Sequence, residues 1–341
     1  MRLAPLASQS FNDWLQAQLQ DLGKDCQAAL GTALWALVLG GGYGRGEGGV
    51  VIHQGQERPY NDIDLFLLVR RRPPAGSLAT LSRAYHERLG VDVDFSRPYR
   101  QRDVAHWPSC QMFYDLVRGH QVLAGDTDWV KQTSPLCWLS PPELESSRLL
   151  LNRGAGLLWA LRVQGGLEAP PDPDFARRNL FKLWQALGDA LLLLYGQYQA
   201  PYSGRELKLK ELLSRQPDIP GWPAENYARS LQFRLQPSTE FGPQPSTQSL
   251  LEATVHWLTI FLHCEGVRLG AHWSGPDPYL ADNRPREPRG WKNLARNLRV
   301  GRWSWEAPRQ PLYLGLVRLL AHQQWHLSEA TAWLDRWRKT P

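Results

Sequence analysis

Cysteine is scarce in this 341-residue chain, and its few copies are scattered. The four cysteines form no C-x-x-C pair and have no spacing typical of a metal site: Cys26, Cys110, Cys137 and Cys264. Disulfide scaffolds and cysteine-ligated zinc sites need closer or paired spacings. The pattern therefore favours a reducing compartment with unpaired, packed thiols.

Long hydrophobic runs are also missing. One uncharged stretch, residues 26–44, contains Gln27, Thr32 and a glycine cluster, and its apolar part is too short to cross a bilayer. The first 25 residues lack the apolar segment of a secretory signal and become polar and charged. We therefore expect a cytoplasmic protein with no membrane segment.

An extreme charge balance is absent as well. Lys and Arg number 39 against 33 Asp and Glu, a net charge of +6, while hydrophobic residues make up 43% and charged residues 21% of the chain. These values are typical of globular proteins and exclude wholesale disorder. The charge permits an anionic partner without demanding one. The length is sufficient for about two domains, each with its own core.

What the chain does contain is an alternation of helix and strand followed by helices alone. Apolar periodicity predicts a helix over 11–33, strands over 34–39 and 63–69, a helix over 78–89 and a strand over 91–95. From residue 140 onward the apolar spacing is helical. The order predicts an α/β (α+β) fold, with a small mixed-sheet domain at 1–135 and an all-helical C-terminal domain at 136–341.

Seven of the 29 glycines fall in one loop, Gly40–Gly49. A P-loop would need a G-K-[ST] sequence after the glycines, and a dinucleotide-binding loop would have to open a helix, whereas residues 50–58 here predict a hairpin. A protein-kinase loop would need a lysine on a following strand. No lysine occurs between Lys24 and Lys131, so these three loop types are excluded.

Two aspartates, Asp62 and Asp64, mark the start of the next strand. Residues i and i+2 of a strand point to the same face about 6.6 Å apart, so these carboxylates should project side by side with Ile63 turned into the core. Two carboxylates plus a third on a neighbouring strand can hold two Mg²⁺ ions about 3.5–4 Å apart. For the third acid, spacing leaves both Asp92 and Asp94 open. We prefer Asp94, because it lies nearer the end of its strand.

Together, the apolar strand, the glycine loop, the D-x-D pair and the later acid resemble the DNA polymerase beta-like nucleotidyltransferase superfamily. The resemblance covers roughly residues 36–96, and the loop is most similar to those of the PII uridylyltransferase and glutamine-synthetase adenylyltransferase branch. It implies a nucleotide-binding loop and three catalytic, metal-binding acids: Gly41, Gly42, Tyr43 and Arg45 in the loop, and Asp62, Asp64 and Asp94 as the acids. Gly42 and Asp62 are 20 positions apart, further than is usual in the family, and the predicted hairpin accounts for the extra residues as an insertion.

The resemblance implies a Mg²⁺-dependent, ATP- or other NTP-binding enzyme that moves a nucleoside monophosphate to an acceptor hydroxyl and releases pyrophosphate. The acceptor is left open between a small molecule and RNA. A tRNA-modifying, toxin-like enzyme would be served by the basic segment 284–303, for which a solvated helix is the alternative. A catalytically inactive nucleotide-binding regulator is the third possibility. No partner protein is evident from the sequence.

Overall fold

The computed structural model describes residues 2–74, 76–238, 242–298 and 303–340. The elements of the N-terminal part follow in this order: α1 (Gln9–Leu30), β1 (Leu34–Leu39), α2 (Gly41–Gly44), β2 (Val50–His53), β3 (Gln56–Pro59), β4 (Ile63–Val69), α3 (Ala79–Leu89), β5 (Val93–Phe95), β6 (Tyr99–Arg100), α4 (Gln101–Val104), α5 (Gln111–Arg118) and β7 (Gln121–Gly125). The helices that follow are α6 (Leu144–Gln164), α7 (Phe175–Leu194), α8 (Arg205–Arg215), α9 (Glu225–Leu235), α10 (Thr247–Leu269), α11 (Pro276–Ala281), α12 (Trp291–Leu298), α13 (Gln310–Ala321) and α14 (Ser328–Lys339). The fold is mixed α/β, with a small sheet and a large helical part, as the sequence predicted.

Strand β1 lies inside the sheet, and all of its residues are buried. A strand covered on both faces has a continuous apolar run instead of an alternating one. β1 pairs antiparallel with β4 and β7, and β4 pairs in parallel with the short strands β5 and β6. The parallel β4–β5 pair requires a crossover, which α3 provides. The predicted hairpin is present as the separate antiparallel pair β2–β3.

Two apolar clusters cover the two faces of this sheet. One joins the sheet to α1 and α3 through side chains that include Leu15, Leu37 and Leu65. The other joins it to α4, α5 and the segment around Trp129 through Trp35 and other large side chains. Helix α1 begins at a Ser8 cap, whose hydroxyl accepts the backbone N–H of Phe11.

The chain divides into two compact units. The first unit consists of Met1–Pro142 and two returning segments, Tyr198–Glu206 and Leu231–Phe241, and the second contains the remaining residues. The returning segments were not anticipated from the sequence. The prediction of separate domains at 1–135 and 136–341 stays a prediction.

The second unit is built on α6, α7 and α10, with α13 packed against α6 and α10. Trp257 stacks on Phe261 with ring centroids 4.9 Å apart, and its indole N–H donates to the carbonyl of Leu150 at 2.9 Å. This large aromatic therefore contributes buried area and has a partner for its polar atom. In the described part of the chain, no helix is both long enough and apolar enough to cross a membrane.

The first returning segment is organised around a buried arginine. The guanidinium of Arg205 donates to the carbonyls of Gln199, Ala200 and Pro201 at 2.5–3.0 Å and to the hydroxyl of Tyr198 at 3.0 Å. That hydroxyl donates in turn to Asp115 on α5 at 3.0 Å. The segment is thereby fastened to the sheet unit through one charged side chain.

We expect Arg205→Ala to lower the free energy of unfolding by at least about 3 kcal/mol, because it leaves several buried acceptors without a donor. Arg215→Ala, at the exposed opposite end of the same helix, is the control and should change it by less than about 0.5 kcal/mol. Urea unfolding followed by circular dichroism measures both. Equal losses in the two variants would contradict this role for Arg205.

Candidate active site

Asp64 and Asp94 lie side by side on neighbouring parallel strands, because the β4–β5 register pairs them directly. Residues in register on adjacent strands project to the same face of a sheet. Asp62 directly precedes β4, which begins at Ile63, and Ile63 is buried as expected. The structure therefore brings together the two acids on strands and places Asp62 at the entrance to β4.

The three carboxylates influence one another electrostatically. Burial raises the pKa of Asp64, Asp62 and Asp94 raise it further, and Arg234 and Arg45 act in the opposite direction. Burial also raises the pKa of Asp94, with Asp62 and Asp92 adding to the effect. The acids thus form a cluster in which the negative charges repel one another and burial reduces their hydration.

Asp92, the other candidate for the third acid, has different surroundings. The strand predicted over 91–95 begins only at Val93, so Asp92 lies outside it. The Asp92 side chain is 70% exposed, and its carboxylate lies 3.2 Å from the imidazole of His86 on α3. Asp94, in contrast, is the register partner of Asp64.

The glycine loop lies directly against Asp64. The backbone N–H of Gly40 donates to the Asp64 carbonyl at 2.8 Å. Gly41 has a φ of 59°, and a Cβ at this position would lie 2.0 Å from Oδ2 of Asp64. Glycine is needed here both for the backbone conformation and for the close approach. The loop forms the single turn α2, with Gly42 buried in it.

Tyr43 supports this loop from inside. Its side chain is buried, and its hydroxyl donates to the carbonyl of Gly49 at 2.6 Å and accepts the N–H of Tyr60 at 3.2 Å. These bonds connect the glycine loop to the residues that flank the hairpin. A contact between Tyr43 and a nucleotide stays a prediction.

Arg45 is engaged within the protein. Its side chain is only 7% exposed, and its guanidinium lies 3.0 Å from Glu47 and 4.0 Å from Asp115. It also lies over the ring of Tyr202, 5.0 Å from the centroid. Glu47 accepts the backbone N–H of Tyr202 at 2.6 Å. Arg45 therefore ties the loop to α5 and to the first returning segment, and its contact with phosphate stays a prediction.

Sequence reasoning missed Arg234, which the second returning segment brings to the same place. Its carbonyl accepts from the Asn61 amide at 3.4 Å, and a Cβ at Gly49 would lie 2.5 Å from that carbonyl. Its guanidinium lies 5.3 Å from the ring centroid of Tyr202. The positive charge of Arg234 lowers the pKa of Asp64, against the effect of burial. Its Nε is buried without a hydrogen-bond partner among the described residues. No local motif marks Arg234, because long-range folding alone brings it to the acids.

A cavity of about 590 Å³ lies next to Asp94. Its apolar lining comes from both strands and from the start of α3, and its charged lining consists of Asp94 and two arginines: Leu67, Leu78, Val93 and Phe95, with Arg72 and Arg97. An apolar cavity with a few charged groups is the usual form of a small-molecule or group-binding site.

The predicted basic segment 284–303 is partly engaged in internal contacts, while Arg296 is exposed. Arg286 is fully buried and donates to the carbonyls of Tyr279 and Asp282 at 2.9 and 3.0 Å. Arg289 lies 3.1 Å from Glu306. Arg299 and Arg302, and the side chain of Lys292, lie outside the described residues.

No protein-family model matches the chain, and no curated protein matches its sequence. Among solved structures, it is similar to the spectinomycin adenyltransferase AAD(9) from Enterococcus faecialis with ATP and spectinomycin, at 13% identity and a TM-score of 0.35, over 64% of this chain and 97% of that one. It is also similar to a nucleotidyltransferase-like protein from Exiguobacterium sibiricum 255-15, at 9% identity and a TM-score of 0.27, over 90% of this chain and 92% of that one. The likeness is loose at these values, so the function proposed below rests on the residues of this chain.

Substitutions at two glycines distinguish the effect of backbone conformation from the effect of the contact with Asp64. Gly41 and Gly55 both have positive φ, 59° and 75°, but nothing lies within 4 Å of a Cβ at Gly55. We expect Gly55→Ala to lower the free energy of unfolding by about 1 kcal/mol through backbone strain alone. Gly41→Ala should cost about 1–3 kcal/mol more, because it also displaces Asp64. Denaturant unfolding measures the difference, and equal losses would contradict the contact between loop and acid.

Proposed function

We propose that this chain is a nucleotidyltransferase that moves a nucleoside monophosphate from an NTP to an acceptor hydroxyl and releases pyrophosphate. The observation that carries the proposal is the position of Asp64, in register with Asp94 and against the backbone of Gly41. Carboxylates beside a side-chain-free loop allow phosphate oxygens and their counter-ions to approach together. The pairing of the strands and the loop contact are independent features that converge on one carboxylate.

Mg²⁺ fits the donor set of this site. Within the described residues, no group of three or more His, Cys, Asp and Glu side chains forms a ready metal cage. Mg²⁺ is commonly held by one or two carboxylates together with substrate phosphates and water, so a complete protein cage is not required. Burial, and after it the negative charge of Asp62, raises the pKa of both Asp64 and Asp94, and a divalent cation would relieve this electrostatic cost. Asp62, Asp64 and Asp94 would hold the ion, which when bound supplies charge stabilisation to the phosphates.

Arg234 is suited to bind the phosphates of the NTP. The positive charge of its guanidinium lowers the pKa of Asp64, the carboxylate beside the glycine loop. Its Nε has no hydrogen-bond partner among the described residues. A planar guanidinium can donate two parallel hydrogen bonds to a phosphate. Arg234 would therefore orient the triphosphate, while Arg45 holds the loop from behind.

The acceptor would enter through the cavity beside Asp94. Its hydroxyl oxygen would form a bond to the α-phosphorus, and the bond from that phosphorus to the oxygen bridging to the β-phosphate would break. The leaving group is pyrophosphate, and the hydroxyl proton would pass to Asp94. Asp94 is chosen for this role because it both lines the cavity and pairs with Asp64.

Conservative substitution of the acids tests the reaction. We expect Asp62→Asn, Asp64→Asn and Asp94→Asn each to lower the rate of pyrophosphate release at least about a hundredfold, because each removes a carboxylate that would hold the cation on the reacting phosphates. Asp92→Asn is the matched control and should retain activity near that of the wild type, since its exposed carboxylate lies beside His86. Pyrophosphate release is followed with Mg²⁺ and each NTP in the presence of cell metabolites or RNA.

Two results would contradict the enzyme. One is wild-type protein that binds NTP but releases no pyrophosphate with any acceptor, which is the behaviour of a nucleotide-binding regulator. The other is a set of Asn variants as active as the wild type. A rate loss in Asp92→Asn equal to that in Asp94→Asn would overturn the choice of the third acid.

The role of Arg234 has its own test. We expect Arg234→Ala to lower kcat/KM for the NTP about 10- to 100-fold, the usual effect of removing a hydrogen bond to a charged group. Arg234→Lys should recover part of the loss, because it keeps the charge without the planar fork. Arg229→Ala, an exposed arginine on the same helix, is the control. A thermal unfolding midpoint that falls in Arg234→Ala while kcat/KM stays unchanged would make the residue structural only.

A further inference from the structure

Five arginines line one groove of the first unit, at the opposite end of β4 from the acids. The groove has a volume of about 780 Å³, and no acidic side chain of the described residues lines it. The arginines come from two places in the chain: Arg70, Arg71 and Arg72 after β4, and Arg100 and Arg102 at β6 and α4.

Strand pairing accounts for this concentration of charge. The parallel register pairs Val69 with Arg100, so the arginines that follow β4 meet those that follow β6. Asp103 neutralises part of the charge, at 3.1 Å from Arg100 and 4.0 Å from Arg102. In the part of the chain that the structure describes, Arg71 and Arg72 make no ion pair or hydrogen bond.

A cluster of like charges opposes folding unless a partner neutralises it. All of the charged groups here are arginines, whose planar forks match phosphate oxygens. Apart from the arginines, the groove is lined by two glutamines and an alanine, so nothing in it suits insertion into lipid. The charge and the hydrogen-bonding chemistry of the groove therefore favour a chain of phosphates.

The groove and the cavity beside Asp94 share one lining residue. β4 has seven residues, so Arg70 and Asp64 are separated by about 20 Å along the strand. Arg72 lines both the groove and the cavity beside Asp94, and Arg97 lines that cavity as well. At about 3.4 Å per stacked nucleotide, the distance corresponds to roughly six nucleotides. A strand whose backbone lies in the groove could therefore place its terminal hydroxyl near Asp94.

We propose that the arginine groove binds the phosphate backbone of an RNA whose terminal hydroxyl is the acceptor. This inference rests on the proposed nucleotidyl transfer, since it names the acceptor of that reaction. The groove is a different surface from segment 284–303, of which Arg286 is buried.

The test uses the full chain, a fluorescein-labelled single-stranded 20-nucleotide RNA and anisotropy between 50 and 200 mM KCl. Arg71→Glu/Arg102→Glu should weaken RNA binding at least tenfold and reduce the slope of log affinity against log salt by about 1–2, as expected for two lost phosphate contacts. Arg215→Glu/Arg229→Glu is the matched control, with the same change in net charge at two other exposed arginines. It should leave affinity within about twofold. Thermal unfolding verifies that both double variants fold.

Transfer is measured in parallel with radiolabelled NTPs. The groove variant should lower incorporation of label into RNA, whereas the control variant should label RNA as the wild type does. Asp64→Asn should abolish incorporation while retaining RNA affinity. Equal loss of affinity in the groove and control variants would overturn the inference. Equal binding and labelling of DNA of the same sequence, or preference for poly-glutamate or phosphatidylserine vesicles over RNA, would also overturn it.

The two proposals fail in different ways. Groove-dependent RNA binding with no transfer to any acceptor would refute nucleotidyl transfer, and with it the acceptor role of RNA, while leaving a phosphate-binding groove. Asp64-dependent transfer to a metabolite, with no groove-dependent RNA binding, would refute the RNA inference and leave the proposed reaction.

Discussion

The crowding of carboxylates around Asp64 is the constraint on which the rest of the site depends. Burial and the neighbouring Asp62 and Asp94 all disfavour the ionised form of Asp64. An ionised carboxylate in such surroundings needs nearby positive charge. Within the chain that charge comes from Arg234 and Arg45, both of which oppose the raised pKa of Asp64. The two arginines therefore offset part of the negative charge around Asp64. In the proposed reaction, a divalent cation bound with the substrate would offset the rest of the repulsion between the carboxylates.

This electrostatic requirement gives a physical reason for the two returning segments of the first unit. The first contributes Tyr202, whose ring lies beneath the guanidiniums of both Arg45 and Arg234 and whose N–H is bound by Glu47. The second contributes Arg234 itself. Arg205 also lies over this ring, 4.7 Å from the centroid, so one aromatic ring contacts three guanidiniums, an arrangement favoured where water is partly excluded. The glycine loop is fixed from both ends, by Gly40 on the Asp64 carbonyl and by the Arg45 ion pairs.

The parts of the fold that sequence predicted are those set by local patterns. The apolar run of β1, the start of β4 and the hairpin were all recognisable, because burial on a strand and turn chemistry act over a few residues. Strand β7 was missed, since four of its five residues are half-buried, the fifth is exposed, and they show no alternation. Helix α6 begins at Leu144, without a side-chain cap. The glycine loop was found for its chemistry, whereas Arg234 depends on a contact between distant parts of the chain that no spacing rule describes.

The distribution of basic residues on the surface also depends on contacts between distant parts of the chain. Seven basic residues within 284–303 are a dense cluster in sequence, yet folding buries Arg286 and pairs Arg289. The arginine groove, by contrast, joins two short runs about thirty positions apart. What joins them is the parallel pairing of β4 with β6 after the α3 crossover. The C-terminal ends of two parallel paired strands lie next to each other, so charged residues that follow the two strands come together there. The arginine groove of this unit therefore follows from sheet topology, which a local count of basic residues does not describe.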